Sequence, residues 1–409
     1  MDRLAAAGHR AFVRGDVGAA ANLLGRAVDL ARPLGSPPIN AFVELGSALL
    51  DSGEFDGAES VLREAADAAR KAGDRRGALL AEVECGLARE MHRPDGAQVA
   101  TDAQVQEMLA AAQELGDDLV LAKVWRWVGD RSNAALQCGE WAAALEKALA
   151  HAERAGYERE VDEDQIFLSS AVYFGPTPVD EAIERCEEML QDARRRARGG
   201  ICSALAGLRA MRGEFEAART LFAEAEEILS DLGFKVRIAG RAMIYGDIED
   251  LAGNLPAAEA KMRGACETLE QMGETGRLST LAGQLAHNLY EQGKYADAER
   301  YAALAERITP PDDVSGVSLW RSVRAKLAAR EGKFESAETL AREAAALLEH
   351  SDALDPRGKT LLDLAEVLAL VGRREEAADE ARRALELFET KGNLVAAEWA
   401  RARVSELTG

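Results

Sequence analysis

The feature that most limits how this chain can fold is a comb of glycines about forty residues apart. Each stands in a pattern Gly-x-Φ-x-x-Ala, with Φ apolar: Gly15/Val17/Ala20, Gly53/Phe55/Ala58, Gly139/Trp141/Ala144, Gly213/Phe215/Ala218, Gly253/Leu255/Ala258, Gly293/Tyr295/Ala298 and Gly332/Phe334/Ala337. Gly372/Arg374/Ala377 and Thr177/Val179/Ala182 are weaker copies. From Gly139 onward the intervals are 38, 36, 40, 40, 39 and 40 residues, and Gly53 to Gly139 spans 86, two periods with one disrupted copy. A second comb stands half a period away, at Gly35, Gly73, Gly116, Gly156, Gly233, Gly273 and Gly392, each closing a stretch of helical periodicity. Two combs imply two helices per repeat, A and B.

The physical logic is local. A glycine in the left-handed conformation stops helix A and turns the chain back. Φ then enters the groove between the helices, and the Ala three residues later lets the two backbones approach. Seven residues before each comb glycine stands another small residue, the facing contact on helix A: Gly8, Gly46, Ser132, Ala206, Gly246, Ala286, Ala325 and Ala365. Composition agrees, with 47% hydrophobic but only 5% aromatic residues, an Ala-, Leu- and Val-rich profile that suits closely packed helices. The expected fold is all-α, one solenoid over residues 1–409 with a right-handed superhelix of about ten helix hairpins. An extra helix at 394–407 would cap the stack. The third repeat, about 78–116, is irregular, with a loop insertion at His92-Arg93-Pro94-Asp95-Gly96 in place of a clean A–B turn.

The pattern resembles the tetratricopeptide repeat, and the resemblance covers essentially the whole chain. It is carried by Ala5 to Val28, Phe174 to Leu190, Leu205 to Arg219 and Leu362 to Ala377. The usual repeat has about 34 residues, so the longer period implies longer helices and a different superhelix. The chain resembles the C-terminal arrays of actinobacterial adenylate and guanylate cyclase–ATPase signalling proteins. None of their cyclase or ATPase motifs is present. Met1 opens directly into the first helix A, which suits either a separate module or the tail of a multidomain cyclase or ATPase whose catalytic domains lie upstream. The arm of a large transcriptional activator is a further option.

Chemistry is sparse. Gly358-Lys359-Thr360 ends like a phosphate-binding loop, but Ala353 stands where that loop needs glycine and the flanks are helical. His9, His92, His151, His287 and His350 show no ligand spacing, and no nucleophile elbow or paired-carboxylate motif is present. No catalytic residue, metal or cofactor is expected. Cys85, Cys138, Cys186, Cys202 and Cys266 lie far apart with no C-x-x-C pair and read as reduced core residues. With 71 acidic against 50 basic residues, net −21, the chain repels phosphate backbones and anionic lipid. A cytoplasmic protein that binds neither nucleic acid nor membrane is expected, with homo-oligomerisation left open. The acidic residues read as solvated outer faces. Arg194, Arg195, Arg196 and Arg198 read as an exposed helix end whose cations oppose the C-terminal dipole. Trp141 reads as a core residue at Φ, with Trp125 or Trp127 a surface anchor.

The functional expectation is a non-catalytic scaffold for protein–protein interaction, the regulatory or sensor arm of a bacterial signalling system. In such arrays the A helices line the concave wall. Positions 13, 10, 6 and 3 before each turn glycine share one face, which gives Arg126 and Asn133, Asp247 and Asp250, His287 and Tyr290, Lys326, and Lys359 and Glu366 as candidate contacts for a protein or peptide segment. The mixed signs give no support to a repeated carboxylate clamp.

Overall fold

The computed structural model of the chain describes residues 1–34, 38–91 and 100–409. Among the described residues the helices pair into ten hairpins, A helix first: α1 (Asp2–Val13) with α2 (Val17–Ala31), α3 (Ile39–Ser52) with α4 (Phe55–Ala72), α5 (Arg75–Met91) with α6 (Asp102–Leu115), α7 (Asp118–Ala134) with α8 (Cys138–Ala155), and α9 (Glu158–Phe174) with α10 (Val179–Gln191). The second half continues with α11 (Arg195–Met211) and α12 (Phe215–Asp231), α13 (Lys235–Leu251) and α14 (Leu255–Met272), α15 (Thr275–Glu291) and α16 (Tyr295–Ile308), α17 (Val314–Arg330) and α18 (Phe334–Leu347), and α19 (Leu354–Leu370) and α20 (Arg374–Lys391). A last helix, α21 (Leu394–Thr408), packs on α20 and α11. Among the described residues there is no strand, so the fold is an all-α solenoid. The Gly35 stop and the 92–96 insertion lie outside the described residues.

The glycine turns form as the sequence predicts, with one exception, while the Thr177 copy makes no left-handed turn and α9 ends instead at Gly175 in an extended conformation. Gly53 adopts φ +86°; its N–H donates to the Leu50 carbonyl at 3.1 Å, and the Glu54 N–H reaches Leu49 at 2.9 Å. These two bonds satisfy helix-end carbonyls and reverse the chain within two residues. A side chain on Gly46 would run into Leu62, so the small residue seven positions earlier does set the approach of α3 and α4. The alanines of the motif are buried throughout, Ala20, Ala58, Ala218, Ala258, Ala298, Ala337 and Ala377 all fully so. The exception is Gly139. It sits inside α8, and the left-handed residue of that turn is Leu136, φ +52°. The true register is therefore three residues earlier: Gly129, not Ser132, faces the partner helix, and Trp141 takes the alanine position rather than Φ. A left-handed non-glycine residue costs about 1–2 kcal/mol, and distant contacts offset it. The Ser351 hydroxyl donates to the Leu136 carbonyl at 2.8 Å, and the Asp352 carboxylate accepts from the Cys138 and Gly139 N–H groups at 2.6 and 2.8 Å, capping α8 from 214 residues away.

That contact belongs to a seam. Helices ten places apart touch: α3 with α13, α5 with α15, α9 with α19, and α11 with α21. Five hairpins thus make one superhelical turn, and the second turn lies against the first. Val17 is buried against Leu229 and Phe234, and Phe55 against Val236 and Met272. The buried ammonium of Lys391, on α20, donates to the carbonyls of Val172, Gly175 and Thr177 at 3.3, 2.7 and 2.9 Å, closing the end of α9. The seam also explains a departure at Φ. Val17, Phe55 and Val179 are buried because another turn covers them, whereas Tyr295 and Phe334, with no third turn above, are 38% and 46% exposed.

Three further expectations change. Arg195, Arg196 and Arg198 open α11 instead of closing a helix, with Arg194 just before it; a carboxylate offsets each, Asp162 on Arg194 at 2.9 Å, Asp231 on Arg195, Glu163 on Arg196 and Glu224 on Arg198 at 2.5 Å. Trp127 is buried, and Trp125 is half-buried under the Lys147 ammonium, so neither is a bare anchor. Acidic residues are not confined to the outer faces, since Glu84, Glu160, Asp162, Glu163, Asp164, Glu249, Glu274 and Asp363 are all buried. Gly358-Lys359-Thr360 lies inside α19, where a Cβ on Gly358 would meet the Phe388 ring at 2.6 Å. The five cysteines are buried free thiols.

Candidate functional site

Closing two superhelical turns encloses the surface that an open array would offer as a groove. The A helices line a chamber of about 800 Å³, with Trp399 and Arg403 of α21 at its edge. Among the described residues its wall carries fourteen aspartates and glutamates against nine lysines and arginines.

Most of those charges are already matched, and the forty-residue period is the reason. Residues one period apart fall at the same level on neighbouring A helices, so a cation on one helix reaches carboxylates on both sides. Lys123 of α7 donates to Glu84 of α5 and, at 2.7 Å, to Glu160 of α9; Arg126 reaches Glu160 at 2.6 Å and Asp164 at 3.5 Å. Lys326 of α17 repeats the arrangement with Glu291 at 2.6 Å, Asp363 at 2.9 Å and Glu366 at 3.2 Å, under the Tyr290 ring. Lys359 binds Asp247 at 2.8 Å, which also accepts from the Tyr173 hydroxyl at 2.9 Å and the Gln284 amide at 3.1 Å. Glu163 of α9 accepts from Arg196 of α11 and Arg237 of α13, both in the second turn, while Arg159 of α9 reaches Asp51 of α3 within the first turn at 2.5 Å. Burial pushes Glu160, Glu163 and Asp363 upward, but the adjacent cations outweigh it and hold all three carboxyls well below their usual range.

Two solved structures share this architecture. A Rap protein complexed with Competence and Sporulation Factor superposes with a TM-score of 0.62 at 16% identity, over 86% of this chain and 98% of that one. The Cut9–Hcn1 hetero-tetramer of the APC/C gives 0.51 at 12% identity, over 100% and 94%. The fold is of tetratricopeptide-repeat type. No protein-family model matches the sequence, and a search of curated proteins finds no match.

Within this tetratricopeptide-type array, the structure brings the sequence-selected residues together. Arg126, Asn133, Asp247, Asp250, His287, Lys326, Lys359 and Glu366 all line the chamber. Tyr290 does not: it is 3% exposed, its hydroxyl donating to Glu366 at 2.6 Å and its ring packed near Tyr295. Nearly all are already bound to other side chains of the protein. His287 hydrogen-bonds Asp363 at 3.0 Å, and Asp250 accepts from Asn288 at 2.6 Å. Arg126 and Lys326 are therefore structural charges as much as ligand-facing ones, and their removal disturbs the wall itself. Counting from Leu136 instead of Gly139 gives Lys123, Arg126, Asp130 and Asn133 as the stripe on α7, all four in the wall. Lys123 and Asp130 were hidden by the slipped register.

Asp130 stands apart. Among the described residues neither its carboxylate nor the Asn133 side chain has a hydrogen-bond or ion-pair partner. Burial, with Glu90 and Glu163 nearby, pushes Asp130 up to about 7 against the opposing pull of Arg126 and Arg277. A carboxyl raised in the folded state binds more protons folded than unfolded between roughly pH 4 and 7, so it lowers stability as pH rises through that window. Asp130→Asn removes this loss. The variant is expected to match the parent near pH 4 and exceed it by about 2–4 kcal/mol at pH 8, read from urea denaturation at the two pH values.

Among the described residues, no group of three or more His, Cys, Asp or Glu side chains is placed to hold a metal ion, and no helix is long and apolar enough to cross a membrane.

Proposed function

We propose that the protein is a non-catalytic interaction module that takes a short extended segment of a partner protein into its chamber, as the regulatory arm of a signalling system in the cytoplasm. The observation that carries this is the enclosure: about 800 Å³ between two superhelical turns, within the usual size of ligand clefts. That space admits a few residues of chain and excludes a folded domain. A wall fixed by inter-helix ion pairs is preorganised, which reduces the ordering cost of binding. The Rap structure of similar fold is complexed with Competence and Sporulation Factor, and the likeness supports a receptor role. Excess carboxylate in the wall disfavours a nucleic-acid ligand, and free buried cysteines suit a reducing compartment.

The test is a plug. Thr280 lines the chamber from α15, and Thr280→Trp fills the space with little change to the wall's ion pairs. Fluorescently labelled pools of random-sequence hexapeptides should bind the parent chain and lose at least about tenfold in affinity with the plugged variant, at unchanged helical circular dichroism. Equal binding by both would remove the chamber from consideration.

A further inference from the structure

Resting on that reading of the chamber, we propose that the part of its wall beside the α7–α8 turn is a subsite for a cation of the bound segment. The carboxylate of Asp130 and the amide of Asn133 receive a lysine or arginine side chain, or a free amino terminus, against an aromatic wall.

Four observations converge there. Asp130 and Asn133 lie one helical turn apart on the same face of α7 and both line the chamber. The other wall carboxylates described above, such as Glu160, Asp363 and Asp247, hold protein cations or donors at hydrogen-bond distance, whereas Asp130 holds none. A carboxylate kept unmatched in the wall of a chamber is a cost to the fold, and an incoming cation relieves it. Trp141, on the facing helix α8, is 3% exposed and lines the same wall, yet its indole N–H has no partner. Its ring lies close to α7, since a Cβ on Gly129 would stand 3.0 Å from its Cδ1. Trp141 packs in one cluster with Phe167 and Phe174. Aromatic faces favour ammonium and guanidinium groups, and the indole donor suits a backbone carbonyl of the same segment. Finally, fourteen carboxylates against nine cations among the described wall residues give the chamber a negative field that selects cations over anions. The charged groups acting on Asp130 are Arg126, Glu90, Glu163 and Arg277. A bound cation joins the two arginines in drawing its proton off.

The test uses two N-acetylated hexapeptide pools, one with lysine or arginine at a fixed position and one with norleucine there, measured on the full chain by fluorescence anisotropy. The basic pool should bind about tenfold or more tightly. Asp130→Asn should erase that preference while leaving the norleucine pool unchanged, and Asp130→Glu should keep most of it. Because Asp130 makes no internal bond, the asparagine variant should melt no lower than the parent, which separates lost recognition from lost folding. Equal binding of the two pools, or a basic preference that survives Asp130→Asn, overturns the cation subsite and leaves the chamber as a segment site intact. Failure of every pool to bind, with Thr280→Trp silent, overturns both.

Discussion

Lys326→Met should lower the stability of the chain by about 3–5 kcal/mol at pH 8, the expected cost of removing one partner from a buried ion cluster. Methionine keeps the length and apolar stem of the side chain, so the loss reports the charge. Lys326 is 1% exposed and serves Asp363, Glu291 and Glu366 at once. Burial and the adjacent Lys326 push His287 down, while Asp363 and Glu291 push it up and win. With Lys326 gone, His287 becomes the nearest cation available to Asp363, at 3.0 Å. Its protonation should therefore recover part of the deficit as pH falls from 8 to 6. A second change supplies the control. In Lys326→Met/Asp363→Leu both buried charges are absent, Glu291 and Glu366 retain solvent contact, and at least half of the lost stability should return. The shift of the urea midpoint at constant slope reads both outcomes. A double variant no more stable than the single one would show that the stranded Asp363 charge is not the source of the loss.

Glu163→Gln should cost a similar 3–5 kcal/mol and, unlike the first substitution, should change the shape of the molecule. Glu163 accepts from Arg196 and Arg237, and Asp51 is the other carboxylate of the cluster, 2.5 Å from Arg159 and 3.5 Å from Arg237. Burial dominates at Arg196 and, with repulsion from Arg159 and Arg237, pulls it down to about 10; two of its nitrogens have no partner. Neutralising Glu163 leaves three arginines facing Asp51 alone. The cluster joins α3 of the first turn to α13 of the second, so repulsion there acts across the seam. The radius of gyration from X-ray scattering should rise as the turns separate, and binding to the chamber should fall with it. A cost below about 1 kcal/mol with an unchanged scattering profile would show that apolar contacts such as Phe55 against Val236 hold the seam without the ions.

Much of the architecture was legible because it is written locally. A glycine stops a helix wherever it stands, and ten hairpins with a final α21 follow from the combs. Leu136 was not legible. Its left-handed turn depends on Ser351 and Asp352, more than two hundred residues away, while Gly139 three residues later happens to complete the motif with Trp141 and Ala144. That slip hid Asp130, the wall residue most clearly left without a partner. Superhelical closure was also illegible, because it depends on small crossing angles summed over five hairpins. Glu84, Lys123 and Glu160 carried a usable signal: opposite charges about one period apart, at separations of 39 and 37 residues. Reading the acidic residues as outer faces passed over it, and so treated Arg126 and Lys326 as contacts for a ligand when each is first a tie between neighbouring helices.

Contact between helices ten places apart has a consequence for how such a gene can change. An open array tolerates the gain or loss of a single unit, because each unit meets only its neighbours. Here, deleting one hairpin from the middle would rotate everything downstream by a fifth of a revolution: Asp352 would no longer meet the start of α8, nor Lys391 the end of α9. The seam thus acts as a length gauge, under which duplications and deletions survive only when compensated elsewhere in the same turn, and drift by point substitution becomes the easier route to a new ligand.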